Sequence, residues 1–166
     1  MLRSEYPPNL KMPIARMDSS KAAAILELLK EPGNDVCADC GAALATDNAW
    51  AVLSYGILVC DDCKLVHIEH ENHYAASEPN SSTTDISLKG ILSTQIPQLW
   101  EDKDIAQIRA NGNKRTNIRL LANSPVWQYR PSGNDGIKLK EYWIKCKYSG
   151  NAGDAAENPK IAAKKQ

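Results

Sequence analysis

At 166 residues, with 20 Lys and Arg balancing 20 Asp and Glu, the chain has the size of one domain with room for a core and two loose ends. No apolar run approaches the roughly 20 residues that a membrane-crossing helix needs, and the start MLRSEYPPNLKMP has no signal-peptide stretch, so a cytosolic or nuclear protein is expected, with the cytoplasm as its location. Five cysteines in that compartment read as thiols or metal ligands, and their odd count also disfavours a disulfide framework.

In chain order, residues 1–17, with Pro7, Pro8 and Pro13, read as an irregular leader, 18–148 as a zinc domain and 149–166 as a disordered tail. A first helix is predicted from Ser20 as its cap, with Ile25, Leu26 and Leu29 as an apolar stripe and Pro32-Gly33 as its stop. Gly56-Ile57-Leu58-Val59 reads as a strand leading into Cys60. Residues 69–94, which include EPNSSTTD, have the polar, turn-rich composition of an exposed loop. Helical spacing returns from Glu101 to Asn111, with Gly112 as a left-handed stop, and again from Lys114 to Leu121. A last helix starts near Asn134 or Asp135 and places Leu139, Trp143 and Cys146 on one face. Phe is absent, so aromatic packing rests on four Trp and six Tyr.

The chemistry concentrates in two short motifs. Cys37-Ala-Asp-Cys40 and Cys60-Asp-Asp-Cys63 are CxxC knuckles separated by nineteen residues, enough chain to fold back and close one site. Structural zinc takes four tetrahedral ligands, and thiolate is a favoured donor. A redox CxxC is the alternative, but it needs no second copy at zinc-ribbon distance. With four sulfurs the coordination is closed, so the ion is expected to stabilise the fold and not to activate water. Cys146 reads as a core thiol. His67, His70 and His73 are spaced by three and could form a second metal site on one helix turn, but loop or surface histidines are the expected reading.

The stretches LELLKEPGNDVCADCGA, WAVLSYGILVCDDCKLVH, WEDKDIAQIRANGN and YRPSGNDGIKLKEYWIKCKY resemble the Arf GTPase-activating domain family, and most closely its centaurin-alpha branch with dual PH domains. The joint spacing carries the resemblance: Trp50 ten residues before Cys60, and Trp100 twelve before Gly112-Asn113. It implies an α+β fold, a small zinc-knuckle domain with a short antiparallel sheet flanked by several helices. It also implies an Arf-family small GTPase as partner, zinc as cofactor, and Trp50, His67 and Asn113 as partner-binding positions. Compared with the family, about three residues are added between Cys40 and Trp50 and about sixteen between Cys63 and Trp100, insertions that cost little entropy in surface loops.

One departure is chemical. Where the family motif after the last cysteine ends in His-Arg, this chain reads His67-Ile68, so the arginine-finger position is Ile68. A guanidinium offers a fixed charge and several donors to a transferring phosphoryl group, and such fingers contribute on the order of 10³ to 10⁵ in rate. No Arg occurs from Thr46 to Asp104, and Lys64 is the one cation close by. The expectation is therefore a GTPase-activator-like domain, either activator or catalytically impaired binder, that is not itself an enzyme and whose GAP activity is in doubt.

Charge placement separates the alternatives. Residues 31–85 hold ten Asp or Glu and only Lys64, whereas 86–166 hold fourteen Lys or Arg and seven acids. A zinc finger that binds protein or nucleic acid with no GTPase role is the competing function, but residues 31–63 lack the cations a nucleic-acid binder uses, so none is expected. Lys138, Lys140, Lys145 and Lys147 suggest a weak contact with anionic membrane, against the plainer reading of a solvated helix face.

Overall fold

A computed structural model describes the backbone of residues 12–76, 90–122 and 130–148, and the side chains of 19–70, 90–122 and 130–148. The tail from 149 on, the stretch EPNSSTTD and residues 1–11 of the expected leader lie outside the described residues. Helix α1 spans Met12–Lys30 and so begins eight residues before Ser20. Pro13 explains the difference: in a first turn its missing N–H is one the helix could not have paired, so proline starts a helix as readily as it breaks one. The buried stripe of α1 is Ile25, Leu28 and Leu29, while Leu26 stays 45% exposed. Gly33 then turns the chain at a φ of +91°.

Three short strands follow, β1 (Trp50–Val52), β2 (Ile57–Val59) and β3 (Ile91–Ser93). They form one antiparallel sheet with β1 in the centre, Trp50 standing opposite Val59 on one side and Ser93 on the other. Both faces of this sheet are covered. Ala51 and Leu58 join Ile25, Leu28, Trp100, Ile105 and Ile108 in one core, and Val52, Ile57 and Val59 join the cysteines, Val66, Trp143 and Ile144 in a second. Two-sided burial is why Ile57-Leu58-Val59 is continuously apolar and does not alternate with polar residues.

Helix α2 (Asp61–Ala76) starts at the second knuckle with Asp61 and Asp62 in its first turn, where carboxylates favour the partial positive charge of the helix end. It runs well into the stretch expected to be loop, and β3 occupies the other end of that stretch. Helix α3 (Asp102–Ala110) opens with the Asp104 carboxylate accepting from the Glu101 backbone N–H at 2.8 Å. Gly112, with a φ of +67°, both ends that run and begins α4 (Gly112–Leu121). Helix α5 (Ile137–Tyr148) buries Lys140, Trp143, Ile144 and Lys147, a face rotated from the expected Leu139, Trp143 and Cys146. Leu139 and Cys146 are only half-buried, although Cys146 does pack against the second core. Among the described residues no helix is long and apolar enough to cross a membrane.

Candidate metal centre and the surface beside it

The first knuckle is a tight turn in the loop after α1. Cys37 donates its backbone N–H to Ala42 at 2.7 Å and accepts from Gly41 at 3.0 Å, and Gly41 sits at a φ of +71°. The second knuckle is the end of β2 running into the first turn of α2, with the Lys64 N–H bonded to the Cys60 carbonyl at 2.9 Å. Folding brings the sulfurs of Cys37, Cys40, Cys60 and Cys63 within 4.8 Å of one another. Cys40 Sγ and Cys60 Sγ are 3.6 Å apart.

A disulfide needs about 2.05 Å. Four sulfurs at about 2.3 Å from one tetrahedral ion stand roughly 3.8 Å apart, so the spacing fits a shared ion. All four cysteines are buried, and burial pushes the Cys37 thiol up. Thiols packed this closely away from water ionise together only around a cation, and the donor set has no open position. Among the described residues this is the one grouping that could hold a metal ion.

The loop carrying Cys37 and Cys40 is held from three directions through one carbonyl. Ala38 O accepts from Arg130 Nη2 at 3.0 Å, Lys147 Nζ at 3.0 Å and Asn117 Nδ2 at 3.0 Å. Arg130 also bonds Cys37 O at 2.6 Å and Asp39 O at 2.8 Å. Asp39, between the two ligands, is fully buried: Lys147 Nζ reaches Oδ1 at 2.7 Å, Tyr148 OH donates to the same oxygen at 2.8 Å, and His67 Nε2 lies 2.8 Å from Oδ2. Burial alone would raise its pKa, but the Lys147 charge and the His67 hydrogen bond outweigh it and hold the carboxyl well below the usual range. Tyr148 is pushed the other way, by burial and then by the Asp39 charge.

Lys140 repeats the arrangement at the second knuckle, reaching Asp62 Oδ2 at 2.6 Å and Gly133 O at 2.8 Å. Burial acts to lower its pKa, yet Asp62 and the nearby Cys40 and Cys63 raise it. Four thiolates around a divalent ion would carry a net charge of −2; Lys140 and Lys147 are each paired with an aspartate, and Arg130, bonded to backbone carbonyls, is the cation beside the first knuckle with no carboxylate partner among the described residues.

Several expectations are corrected by this geometry. Lys140 and Lys147 are inside the domain, and Lys145 pairs with Glu141 at 2.5 Å, so the four α5 lysines do not form a membrane-facing row. His67 is neither loop nor surface: it is 1% exposed on α2 and bonded to Asp39. Asn113 is equally buried, accepting from Leu58 N at 2.7 Å and donating to Leu58 O and Val36 O. Of the three positions expected to meet a partner, Trp50 alone is partly exposed. Its Nε1 donates to Asp61 Oδ1 at 2.7 Å, and Lys64 Nζ sits 3.8 Å from the centre of one of its rings. Ile68 is half-buried, one turn beyond Lys64 on α2.

Three comparisons with known proteins agree with this architecture. A family described as "ArfGap: Putative GTPase activating protein for Arf" matches residues 22–157. The human protein named "Arf-GAP with dual PH domain-containing protein 2" is 36% identical over 126 residues, covering 75% of this chain and 28% of the relative. An Arabidopsis thaliana protein named "ADP-ribosylation factor GTPase-activating protein AGD1" is 28% identical over 128 residues, covering 70% of this chain and 15% of the relative. The chain thus spans about a quarter or less of the length of these relatives. A solved structure titled "Solution structure of the ArfGap domain of human RIP" aligns with a TM-score of 0.57 at 15% identity, covering 78% of this chain and 83% of that one, and shows the same fold.

The match overturns the expectation of a domain that is not an enzyme. The family is named for GTPase activation, and an activator that lowers a hydrolytic barrier and is released unchanged acts as a catalyst.

Proposed function

Because this chain belongs to the ArfGap family of GTPase activating proteins for Arf, we propose that it accelerates GTP hydrolysis by an Arf-family small GTPase, with zinc as the ion held by Cys37, Cys40, Cys60 and Cys63. The observation that carries the reading is the four-sulfur cluster at the junction of β2 and α2, inside a chain matched by the family over residues 22–157. Zinc is the preferred ion because four closed thiolates in a tetrahedral set select it over the harder divalent cations.

The surface that meets the GTPase is the start of α2 with Trp50. Asp39, His67, Lys140 and Lys147 hold the knuckles from beneath and present no atom to the partner. Ile68 cannot stabilise negative charge, so the positive charge comes from Lys64, four residues earlier and hence on the same face of the helix. Its ammonium is parked over the Trp50 ring and 3.5 Å from Asp61, with its side chain 16% exposed. A partner that displaces Asp61 leaves Lys64 as the cation facing the phosphates. As a point charge without a planar fork, it gives a smaller acceleration than the 10³ to 10⁵ typical of an arginine.

Single-turnover GTP hydrolysis by a panel of Arf proteins, with the zinc-loaded chain added, tests this. Stimulation by the wild type, its loss in Lys64→Met and its increase in Ile68→Arg are expected. Binding without stimulation by the wild type would reduce the chain to a binder, and no binding in any nucleotide state would leave the family describing the fold alone.

A further inference from the structure

The sequence from Ile105 to Asn134 contains Arg109, Lys114, Arg115, Arg119 and Arg130 and not one acid. Arg130 is spent on the first knuckle, and Arg109 stands 3.7 Å from Glu31. That leaves Lys114, Arg115 and Arg119 on the solvent side of α4, a helix with no carboxylate of its own. Lys114 and Arg119 make no ion pair among the described residues, and Arg115 bonds only the Ala110 carbonyl, at 2.9 Å.

Ile118 lies among these three cations. It is 63% exposed, the most exposed large apolar side chain among the described residues, and it follows Lys114 and Arg115 by four and three positions and precedes Arg119. Lys114 and Arg115 stand four and three positions before Ile118, and Arg119 stands four after Arg115, so the side chains adjoin one another in a connected stretch of helix surface. An open groove of about 320 Å³ adjoins the patch, lined by Lys114, Arg115, Ile118 and Arg109 with Asn34 and Glu31.

Uncompensated cations around a bare isoleucine describe one kind of occupant. We infer that the Lys114–Arg115–Ile118–Arg119 face of α4 docks on an anionic lipid bilayer, with the three cations at the headgroup phosphates and Ile118 entering the boundary with the acyl chains. Phospholipid headgroups supply dense negative charge without fixed geometry, so flexible cations of unequal length can all be used, and the layer beneath accepts an apolar tip. A folded protein with an acidic surface would match the charge but would need a cavity to receive Ile118. The patch lies outside the metal centre and the start of α2, so membrane docking and GTPase activation fail separately.

The test is co-sedimentation of the zinc-loaded chain with vesicles of phosphatidylcholine and phosphatidylserine, against phosphatidylcholine alone. The expected result is binding to the anionic vesicles only, weakening steeply with salt. Each cation removed in Lys114→Gln or Arg119→Gln lowers partitioning about fivefold, and Ile118→Ser lowers it further. Lys138→Gln, an exposed cation elsewhere on the surface, changes it far less. The inference is overturned if anionic vesicles do not bind the chain, if Lys138→Gln weakens binding as much as Arg119→Gln, or if Ile118→Ser has no effect. Retention on heparin without vesicle binding overturns it too, marking a soluble polyanion as the occupant.

Discussion

Lys147 and Asp39, separated by 108 residues in the chain, meet at 2.7 Å with neither side chain exposed to solvent. The pair ties the last turn of α5 to the residue between the first two metal ligands. Breaking a buried pair by removing one partner leaves an uncompensated charge and costs about 3–5 kcal/mol. Lys147→Met is therefore expected to destabilise the metal-loaded chain by that amount in urea unfolding. A loss below about 1 kcal/mol would show that the pair contributes no more than an exposed one.

The same carboxylate gives a pH dependence whose sign follows from its depressed pKa. A carboxyl that ionises more easily folded than unfolded adds stability that is fully present above its unfolded pKa, about 4, and is lost as pH falls through the lower folded value. The stability difference between wild type and Asp39→Asn should be flat from about pH 7 to pH 5 and shrink below about pH 4. Urea midpoints measured as a function of pH check this. A difference that shrinks as pH rises would reverse the sign.

Gly56 makes the turn from β1 to β2 at a φ of +66°, and a Cβ placed there would stand 2.7 Å from Asn111 Cβ, while its carbonyl accepts the Gly112 N–H at 3.0 Å. Gly56→Ala should cost about 1–3 kcal/mol through backbone strain alone, with more from the clash. Thermal unfolding reads the loss, and an unchanged Tm would contradict the close approach.

Asn113 satisfies three backbone groups, the N–H and carbonyl of Leu58 and the carbonyl of Val36, and so joins α4 to β2 and to the first knuckle. Asn113→Ala takes their partner from the Leu58 N–H and the Val36 carbonyl, at about 1–3 kcal/mol for each that finds no water, while the Leu58 carbonyl keeps the Ala38 N–H at 3.0 Å. The expected outcome is lower stability together with weaker metal retention against a chelator. Normal stability with weakened GTPase binding would instead make Asn113 a contact residue.

How much of this was legible depended on whether partners are close in the sequence. The four cysteines were found because a CxxC knuckle is local, and its repetition at nineteen residues leaves few other uses for it. Helices α1, α3, α4 and α5 and strand β2 also followed from local pattern, whereas α2, β1 and β3 did not. The buried face of α5 did not, because apolar periodicity assigns lysines to solvent, and Lys140 and Lys147 are buried only by virtue of Asp62 and Asp39, 78 and 108 residues away. One signal was available: Lys140, Trp143, Ile144 and Lys147 keep helical spacing, and each knuckle holds an aspartate between its cysteines. Arg130 left no such trace, since its three acceptors are backbone carbonyls that look alike in any sequence. His67 and Asn113 were singled out as partner contacts and both are buried, because motif position does not say whether a residue faces a partner or the core.

Native mass spectrometry of the purified chain tests the four-sulfur centre most directly. One zinc ion per 18.3 kDa chain is predicted, with loss of the fold when the ion is stripped by a chelator. A folded chain without metal, or one that keeps its circular dichroism after Cys37, Cys40, Cys60 and Cys63 are all changed to serine, would contradict it.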